Sequence, residues 1–232
     1  MNKNRIIEKG EGPPLILLHG FMCSKEFFAS QINYFAHYFK VVAYDLYGFG
    51  SCQATRPYSL EDYSDEFIEL ANSLGGKVNV IAHSFGCRVI LKSAQKSNVI
   101  NRAVLCGVAG LKPSFSLKKE IKKKVYRIVR PFFSKERLEK RFFSSDYNML
   151  NAIMKESFKL VTSEYLDNCL NQINFPTFVI FGSEDRLTPP KIANKLIKNI
   201  PNCYKYIMNG CGHFCYSERP AEFNSIAKEF LI

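Results

Sequence analysis

The amino-acid sequence predicts an α/β fold in which a mostly parallel β-sheet is flanked by helices on both faces. Short apolar runs of strand length alternate along the chain with longer segments of helical periodicity. Glycines punctuate several of the connections. With 47% hydrophobic residues among 232, the chain can bury both faces of such a sheet within one domain.

The first half of the chain contains four predicted strands, and a predicted helix follows each of the first three. Ser24 is a candidate N-cap for the first helix. Ser59 and Asp62 form a capping pattern at the start of the second. Gly75 and Gly76 mark its end. The predicted strands are 14–20, 40–45, 77–84 and 101–108, and the predicted helices are about 24–39, 59–74 and 85–96.

The alternation breaks after the fourth predicted strand. Residues 112–172 have the pattern of several helices with no strand between them. Alternation then resumes with a strand, a helix, a strand and a last helix. The predicted ranges of these elements are 176–182, 190–199, 203–210 and 217–231. We therefore expect a core made of residues 1–111 and 173–232, with residues 112–172 inserted as a helical block.

Ser84 stands where the third predicted strand turns into a helix, within the segment VNVIAHSFGC. A sharp strand-to-helix turn presents one side chain above the sheet, and the residues two before and two after it must be small. Ala82 and Gly86 meet that requirement. The N-terminus of the following helix adds a positive dipole end. Ser84 is therefore a candidate nucleophile, and the alternative is an ordinary serine at the start of a helix.

A serine nucleophile requires a base, and the base requires an acid that orients it. His213 lies in a glycine-rich loop between the last predicted strand and helix, and Asp185 directly follows an earlier strand. His19 and His83 compete as bases, but their neighbouring motifs suggest structural duties. Asp45 competes as the acid, although it precedes the serine. Serine, then aspartate, then histidine, each at a strand end, is the chain order of one class of hydrolases.

These motifs together resemble the α/β-hydrolase superfamily over nearly the whole chain. The segments that carry the resemblance are LLHGF, YDLYGFGSC, AHSFGCRV, FGSEDRLTP and NGCGHF. Within the superfamily, the chain is similar to small bacterial serine hydrolases with a short helical cap. The resemblance implies that residues 112–172 form that cap, which would exclude water and shape the substrate pocket.

The resemblance also implies roles for individual residues. Ser84 would be the nucleophile, His213 the general base and acid, and Asp185 the residue that orients His213. The backbone N–H groups of Phe21 and Phe85 would form the oxyanion hole. No cofactor and no metal ion is expected.

Three further residues are possible substrate-binding positions, namely His19, Gly20 and Arg88. Arg88 lies one helical turn after the predicted nucleophile. It could bind a substrate carboxylate, or it could tie its helix to neighbouring loops by hydrogen bonds. The sequence departs from the family pattern at Ala82 and Cys87, where glycine is frequent, and neither departure removes a reacting group.

Three functions are compatible with these features. The first is a serine hydrolase that cleaves a small-molecule carboxylic ester or thioester through an acyl-enzyme intermediate. The second is a carbon–carbon bond hydrolase or lyase that uses the same triad, with Arg88 holding a substrate carboxylate. The third is a non-catalytic binding protein on the same scaffold, against which the complete triad argues.

The net charge of +11 is concentrated in one part of the sequence. Residues 112–141 contain twelve Lys or Arg and three Glu, which gives 12 − 3 = +9. This basic segment predicts docking of an acidic carrier protein or an anionic surface, and the alternative is a solvated helix face without a partner. We expect no nucleic-acid partner.

The remaining expectations concern location and redox state. No apolar run reaches the length of a transmembrane segment, and residues 1–12 lack the apolar stretch of a secretory signal. We therefore expect a cytoplasmic protein. The eight scattered cysteines are then expected to be reduced thiols.

Overall fold

A seven-stranded β-sheet forms the centre of the computed structural model, which describes residues 3–112 and 145–232. The strand order is β1-β3-β2-β4-β5-β6-β7. Strand β1 pairs antiparallel with β3, and all the other pairs are parallel. The strands are β1 (Ile6–Lys9), β2 (Pro14–Leu18), β3 (Lys40–Tyr44), β4 (Val78–His83), β5 (Ile100–Cys106), β6 (Thr177–Gly182) and β7 (Cys203–Met208). The predicted α/β class with a mostly parallel sheet is confirmed.

Helices cover both faces of the sheet because alternate strand residues point to opposite sides. In β2, Ile16 and Leu18 belong to one buried core, whereas Leu15 and Leu17 belong to the other. The helices are α1 (Ala29–Phe35), α2 (Leu60–Ser73), α3 (Phe85–Ser93), α4 (Ser145–Met149), α5 (Ala152–Ser163), α6 (Lys191–Asn199), α7 (Cys215–Glu218) and α8 (Pro220–Leu231). Side chains of α2, α3 and α6 enter the first core, and those of α1 and α8 enter the second.

The predictions for the first and the last helix were partly wrong. The Ser24 side chain makes no capping hydrogen bond, and the chain forms a 3₁₀ turn, Lys25–Phe28, before α1 begins. Helix α1 ends at Phe35, four residues before the predicted end, because the main chain then turns to enter β3. The last predicted helix is two helices, since Pro220 keeps the preceding Arg219 out of the helical conformation.

Strand β1 was not predicted from the sequence. It has only four residues, and its exposure rises from half-buried to fully exposed along its length. A strand at the edge of a sheet needs no long apolar run, because its outer side faces solvent. The hydrophobic pattern therefore gives it little signal.

The helical block is described only in part. Residues 145–172 contain α4, α5 and a 3₁₀ helix, Asp167–Gln172, with no strand among them. Met154 and Val161 of α5 pack into the core that also holds α2 and α3. Residues 113–144, with most of the basic segment, lie outside the described residues, so the division into core and cap stays a prediction. In the described ranges, no helix has the length and apolar character needed to cross a membrane.

The capping pattern at the start of α2 is confirmed and gives a stability prediction. The Ser59 hydroxyl accepts the Asp62 amide at 3.2 Å, and the Asp62 carboxylate accepts the Ser59 amide at 2.7 Å. Replacing Ser59 with Ala should lower the free energy of unfolding by about 1 kcal/mol, since it leaves an N-terminal amide unpaired. Urea denaturation measures this difference. Ser73→Ala, at the other end of the same helix, is the control and should change stability by less than about 0.5 kcal/mol.

Candidate active site

Ser84 occupies a strained turn between β4 and α3. Its φ is 49°, and among the described residues Met22, with φ 59°, is the one other non-glycine residue with a positive φ. Such a conformation costs about 1–3 kcal/mol and persists where the surroundings enforce it. Here the Ser84 amide donates to the Cys106 carbonyl of the neighbouring strand at 2.9 Å. The side chain that the turn presents is half-buried.

Close packing of α3 on β2 requires glycine at position 86. A Cβ atom on Gly86 would lie 2.5 Å from the Leu18 carbonyl oxygen and 2.9 Å from the Leu18 Cβ. On the other side of the turn, Ala82 is fully buried, and its methyl group is part of the core. The structure therefore explains why the second small residue of the turn is glycine while the first can be alanine.

Asp185 and His213 form a hydrogen-bonded pair at the ends of β6 and β7. His213 Nδ1 lies 2.7 Å from Asp185 Oδ2, and the two side chains are 10% and 0% exposed. Thr188 donates from its hydroxyl to the same carboxylate oxygen at 2.7 Å. The amides of Leu187 and Thr188 donate to the other oxygen, each at 2.8 Å. Because Nδ1 donates to the carboxylate, Nε2 of the neutral ring carries a free lone pair.

The hydrogen bonds around Asp185 keep it ionised. Burial alone would raise its pKa, but the hydrogen bonds from His213 and Thr188 outweigh burial and lower the pKa below its ordinary value. A buried carboxylate with this many donors is held in one orientation. It can therefore fix the tautomer of His213 and stabilise the ring when the ring gains a proton.

Neighbouring residues bring His213 close to Ser84. A Cβ on Gly107 would lie 3.0 Å from His213 Cε1. Gly107 follows Cys106, whose carbonyl accepts the Ser84 amide. The ring of His83, the residue before Ser84, lies 4.7 Å from the His213 ring between centroids. Ser84, His213 and Asp185 therefore lie at the same carboxyl edge of the sheet, where ligands of such sheets bind.

Phe21 and Phe85, the predicted donors of the oxyanion hole, are neighbours. Their rings are in edge-to-face contact with centroids 5.7 Å apart. Phe85 is the first residue of α3, so its amide has no acceptor within the helix. The ring of Phe21 also contacts Phe158 of α5, with centroids 5.2 Å apart. This contact links the loop after β2 to the helical block.

His19, one of the possible substrate-binding residues, has main-chain partners instead. His19 is fully buried, with Nδ1 2.7 Å from the Gly20 carbonyl and Nε2 accepting the Leu46 amide at 3.0 Å. Burial lowers its pKa to about 4, so the ring is neutral near pH 7. Both ring nitrogens are therefore occupied by the main chain, which indicates a structural role for His19.

Arg88 ties its helix to a neighbouring part of the chain by hydrogen bonds, which is one of the two roles considered for it. It is 7% exposed, and its Nη1 donates to the main-chain carbonyls of Val161 and of Glu164, the latter at 2.9 Å. These carbonyls lie at the C-terminal end of α5. Through Nη1, the guanidinium therefore ties α3 to the helical block.

Asp45, the competing acid, is committed to an ion pair. Its two carboxylate oxygens accept hydrogen bonds from the amide and the ammonium of Lys25, at 2.8 and 2.7 Å. The amide and hydroxyl of Ser51 also donate to it, each at 2.8 Å. Asp45 is fully buried and holds two loops together, so it is not available to a histidine.

Two features of the site carried no clear signal in the sequence. Thr188 contacts both members of the Asp185–His213 pair, with its hydroxyl oxygen 3.2 Å from His213 Nδ1. The only hint was its position three residues after a candidate aspartate in FGSEDRLTPP. Cys215, two residues after His213, places its sulfur 3.3 Å from that of Cys106, and both thiols are free and buried.

Comparisons with known proteins agree with this architecture. A family model described as "Alpha/beta hydrolase family" matches residues 15–226. A 2-hydroxy-6-oxo-6-(2'-aminophenyl)hexa-2,4-dienoic acid hydrolase of Metapseudomonas resinovorans is 26% identical over 99% of this chain and 87% of its own. A pimeloyl-[acyl-carrier protein] methyl ester esterase of Legionella pneumophila (strain Corby) is 24% identical over 96% of both chains.

Solved structures show the same fold. The structure of a serine hydrolase involved in carbazole degradation superposes with a TM-score of 0.77 at 22% identity, over 97% of this chain and 93% of that chain. The similarity of the folds extends across the sheet and its helices.

The lowered pKa of Asp185 predicts how stability depends on pH. Its folded-state pKa is below the unfolded value, so the stabilisation is complete above about pH 4 and is lost as the pH falls through the folded-state pKa. Asp185→Asn removes this contribution. The difference in free energy of unfolding between wild type and variant should be constant near neutral pH and shrink below about pH 4. Chemical denaturation at a series of pH values measures it, and a difference independent of pH would contradict the prediction.

Proposed function

Because the chain belongs to the alpha/beta hydrolase family, we propose that it is a serine hydrolase that cleaves a carboxylic ester or thioester through an acyl-enzyme intermediate. The observation that carries the proposal is the buried Asp185–His213 pair, 2.7 Å between Oδ2 and Nδ1, at the same sheet edge as the strained Ser84. A constrained serine beside an oriented histidine is the arrangement that nucleophilic catalysis requires.

Each residue of the site has a defined part in the acylation step. Ser84 Oγ attacks the acyl carbon while His213 Nε2 accepts its proton, and Asp185 stabilises the resulting imidazolium. The amides of Phe21 and Phe85 bind the oxygen that becomes negative. Loss of one such donor costs about 2.7–4 kcal/mol of transition-state stabilisation. His213 then donates the proton to the leaving alcohol or thiol.

Deacylation uses the same groups in reverse. A water molecule takes the place of the alcohol, and His213 removes its proton as the water attacks the acyl carbon. The ester bond to Ser84 then breaks, and the serine recovers its proton from His213. Asp185 remains ionised throughout, which its lowered pKa favours.

A second candidate is hydrolysis of a carbon–carbon bond with the same triad. The similarity to the dienoic acid hydrolase of Metapseudomonas resinovorans supports it. This candidate would use Arg88 to bind a substrate carboxylate. Nη1 of that guanidinium already donates to two carbonyls of the helical block, which weakens this assignment. The ester reaction needs no such anchor and remains the first choice.

We also propose that residues 112–172 act as a cap over the core formed by residues 1–111 and 173–232. Within the described part of this block, Phe158 contacts the ring of Phe21, and the end of α5 accepts hydrogen bonds from Arg88. Helix α5 is therefore held beside the proposed oxyanion hole. A cap in this position would shape the pocket for the acyl group and limit the entry of water.

The first test of the function is covalent labelling of Ser84. A fluorophosphonate probe should modify Ser84 in the folded protein, because the probe reacts with activated serines. Ser84→Ala should abolish labelling and lower ester hydrolysis by roughly 10⁶-fold. Ser30→Ala, which removes an exposed hydroxyl on α1, is the matched control and should behave like wild type. A wild-type protein that takes up no probe would favour the non-catalytic alternative.

A substrate panel separates the two reactions. It contains acyl esters and thioesters of increasing chain length beside β-diketones that can be cleaved only at a carbon–carbon bond. We expect turnover of the esters or thioesters to exceed that of the diketones, with Ser84→Ala as the background. Faster cleavage of the diketones would favour the carbon–carbon hydrolase.

The position of Thr188 predicts a smaller effect on catalysis. Thr188→Val keeps the shape of the side chain but removes the hydroxyl that donates to Asp185. We expect kcat to fall by about tenfold, since one hydrogen bond to a charged group is lost near the reacting histidine. Thr162→Val, on the exposed side of α5, is the control. Equal rates for both variants would show that the hydroxyl does not orient the pair.

The basic segment 112–141 leads us to propose an acidic acyl carrier as a partner. The similarity to the pimeloyl-[acyl-carrier protein] methyl ester esterase of Legionella pneumophila is compatible with this idea. We expect kcat/KM for an ester on an acidic carrier protein to exceed that for the free methyl ester and to fall as salt rises. Lys122→Glu should lower kcat/KM for the carrier-bound ester and leave that for the free ester unchanged. Lys198→Glu, on α6, is the control and should change neither value. Equal rates for both esters without a salt effect would contradict the proposal.

A further inference from the structure

We propose that His83, the residue before the nucleophile, is a positioning residue that holds His213 in place by a hydrogen bond to its main-chain carbonyl. The inference rests on the proposed function, since it concerns the geometry of that reaction. His83 Nε2 lies 3.0 Å from the His213 carbonyl oxygen. The bond joins the end of β4 directly to the loop that carries the base.

The surroundings of His83 fix its ring and its proton. The residue is 1% exposed, and its ring packs against those of His213, Phe214 and Tyr216, with centroids 4.7, 4.9 and 4.9 Å away. Burial lowers its pKa to about 3, so the ring is neutral at working pH. Because a carbonyl can only accept, the single ring proton is on Nε2. His83 therefore acts as a donor of fixed direction.

The close approach of the His83 ring to residue 20 explains why that residue is glycine. His83 Nδ1 has no hydrogen-bond partner among the residues described. A Cβ on Gly20 would lie 2.7 Å from Nδ1 and 3.2 Å from Cε1 of the His83 ring. Any side chain at position 20 would displace the His83 ring from the position in which Nε2 reaches the His213 carbonyl. Gly20 thus has a role in clearing space for His83, which differs from the substrate-binding role considered for it.

The geometry also separates His83 from the role of base. Its Nε2 proton is committed to the His213 carbonyl, and its free nitrogen lies against Gly20. Ser84 and His83 are consecutive residues. One peptide unit therefore connects the proposed nucleophile to the side chain that holds the proposed base. The distance between Ser84 and the His213 ring therefore depends on the His83 bond.

Three substitutions of His83 test this assignment. In His83→Gln, the amide nitrogen takes the place of Nε2 and can still donate to the His213 carbonyl. In His83→Asn, the shorter side chain places its nitrogen near the position of Nδ1, out of reach of that carbonyl. His83→Leu keeps much of the volume and has no donor. The glutamine and asparagine variants form the matched pair, because both are amides.

We expect a loss in kcat that follows the donor. His83→Leu and His83→Asn should each lower kcat by about 10- to 100-fold, with little change in KM, because the base is displaced from Ser84. His83→Gln should lose less than about threefold. The rate of fluorophosphonate labelling at Ser84 should follow the same order.

Several outcomes would overturn the assignment. Equal kcat for the glutamine and asparagine variants would show that the donor is not what matters, and this comparison decides the matter even if His83→Leu does not fold. A loss in kcat that simply follows the melting temperature would also contradict it. If wild-type protein neither labels at Ser84 nor hydrolyses any ester, the proposed function has failed first.

Discussion

The left-handed conformation of Ser84 is the constraint on which the rest of the site depends. A serine at φ 49° is strained, and it stays in this conformation because the strands and helices around it are packed too closely to relax. The Cys106 carbonyl holds its amide from β5, and Gly86 brings α3 against the Leu18 carbonyl of β2. Ser84 is therefore positioned by the centre of the sheet, where movement costs most.

Two carboxylates at strand ends show how the same residue type acquires different duties. Asp45 at the end of β3 faces the ammonium of Lys25, and its oxygens are used to join two loops. Asp185, three residues after the end of β6, faces the imidazole of His213. Two main-chain amides and the hydroxyl of Thr188 also donate hydrogen bonds to its carboxylate. Both are buried and hydrogen-bonded. The partner therefore decides which carboxylate orients His213, and the position of that partner follows from the order of the strands.

The sequence predicted the alternation of strands and helices because buried strands and amphipathic helices have different hydrophobic periods. The Ser59 cap and the turn at Ser84 also have local signals, since each requires particular residue types at fixed spacing. Strand β1 lacked such a signal because an edge strand can be short and polar. The contacts of Arg88 and Thr188 could not be predicted, because each depends on residues brought together by the tertiary fold.

The two neighbouring thiols beneath the site have a consequence for the handling of this protein. The sulfurs of Cys106 and Cys215 are 3.3 Å apart, and burial holds the pKa of Cys106 well above its ordinary value. The thiolate is the form that reacts with peroxides and disulfides, so the fold suppresses the reactive form of Cys106. Unfolding removes that protection and exposes the six cysteines that the fold buries. Air oxidation of the unfolded chain therefore competes with refolding, and a reductant decides whether the chain returns to the native fold.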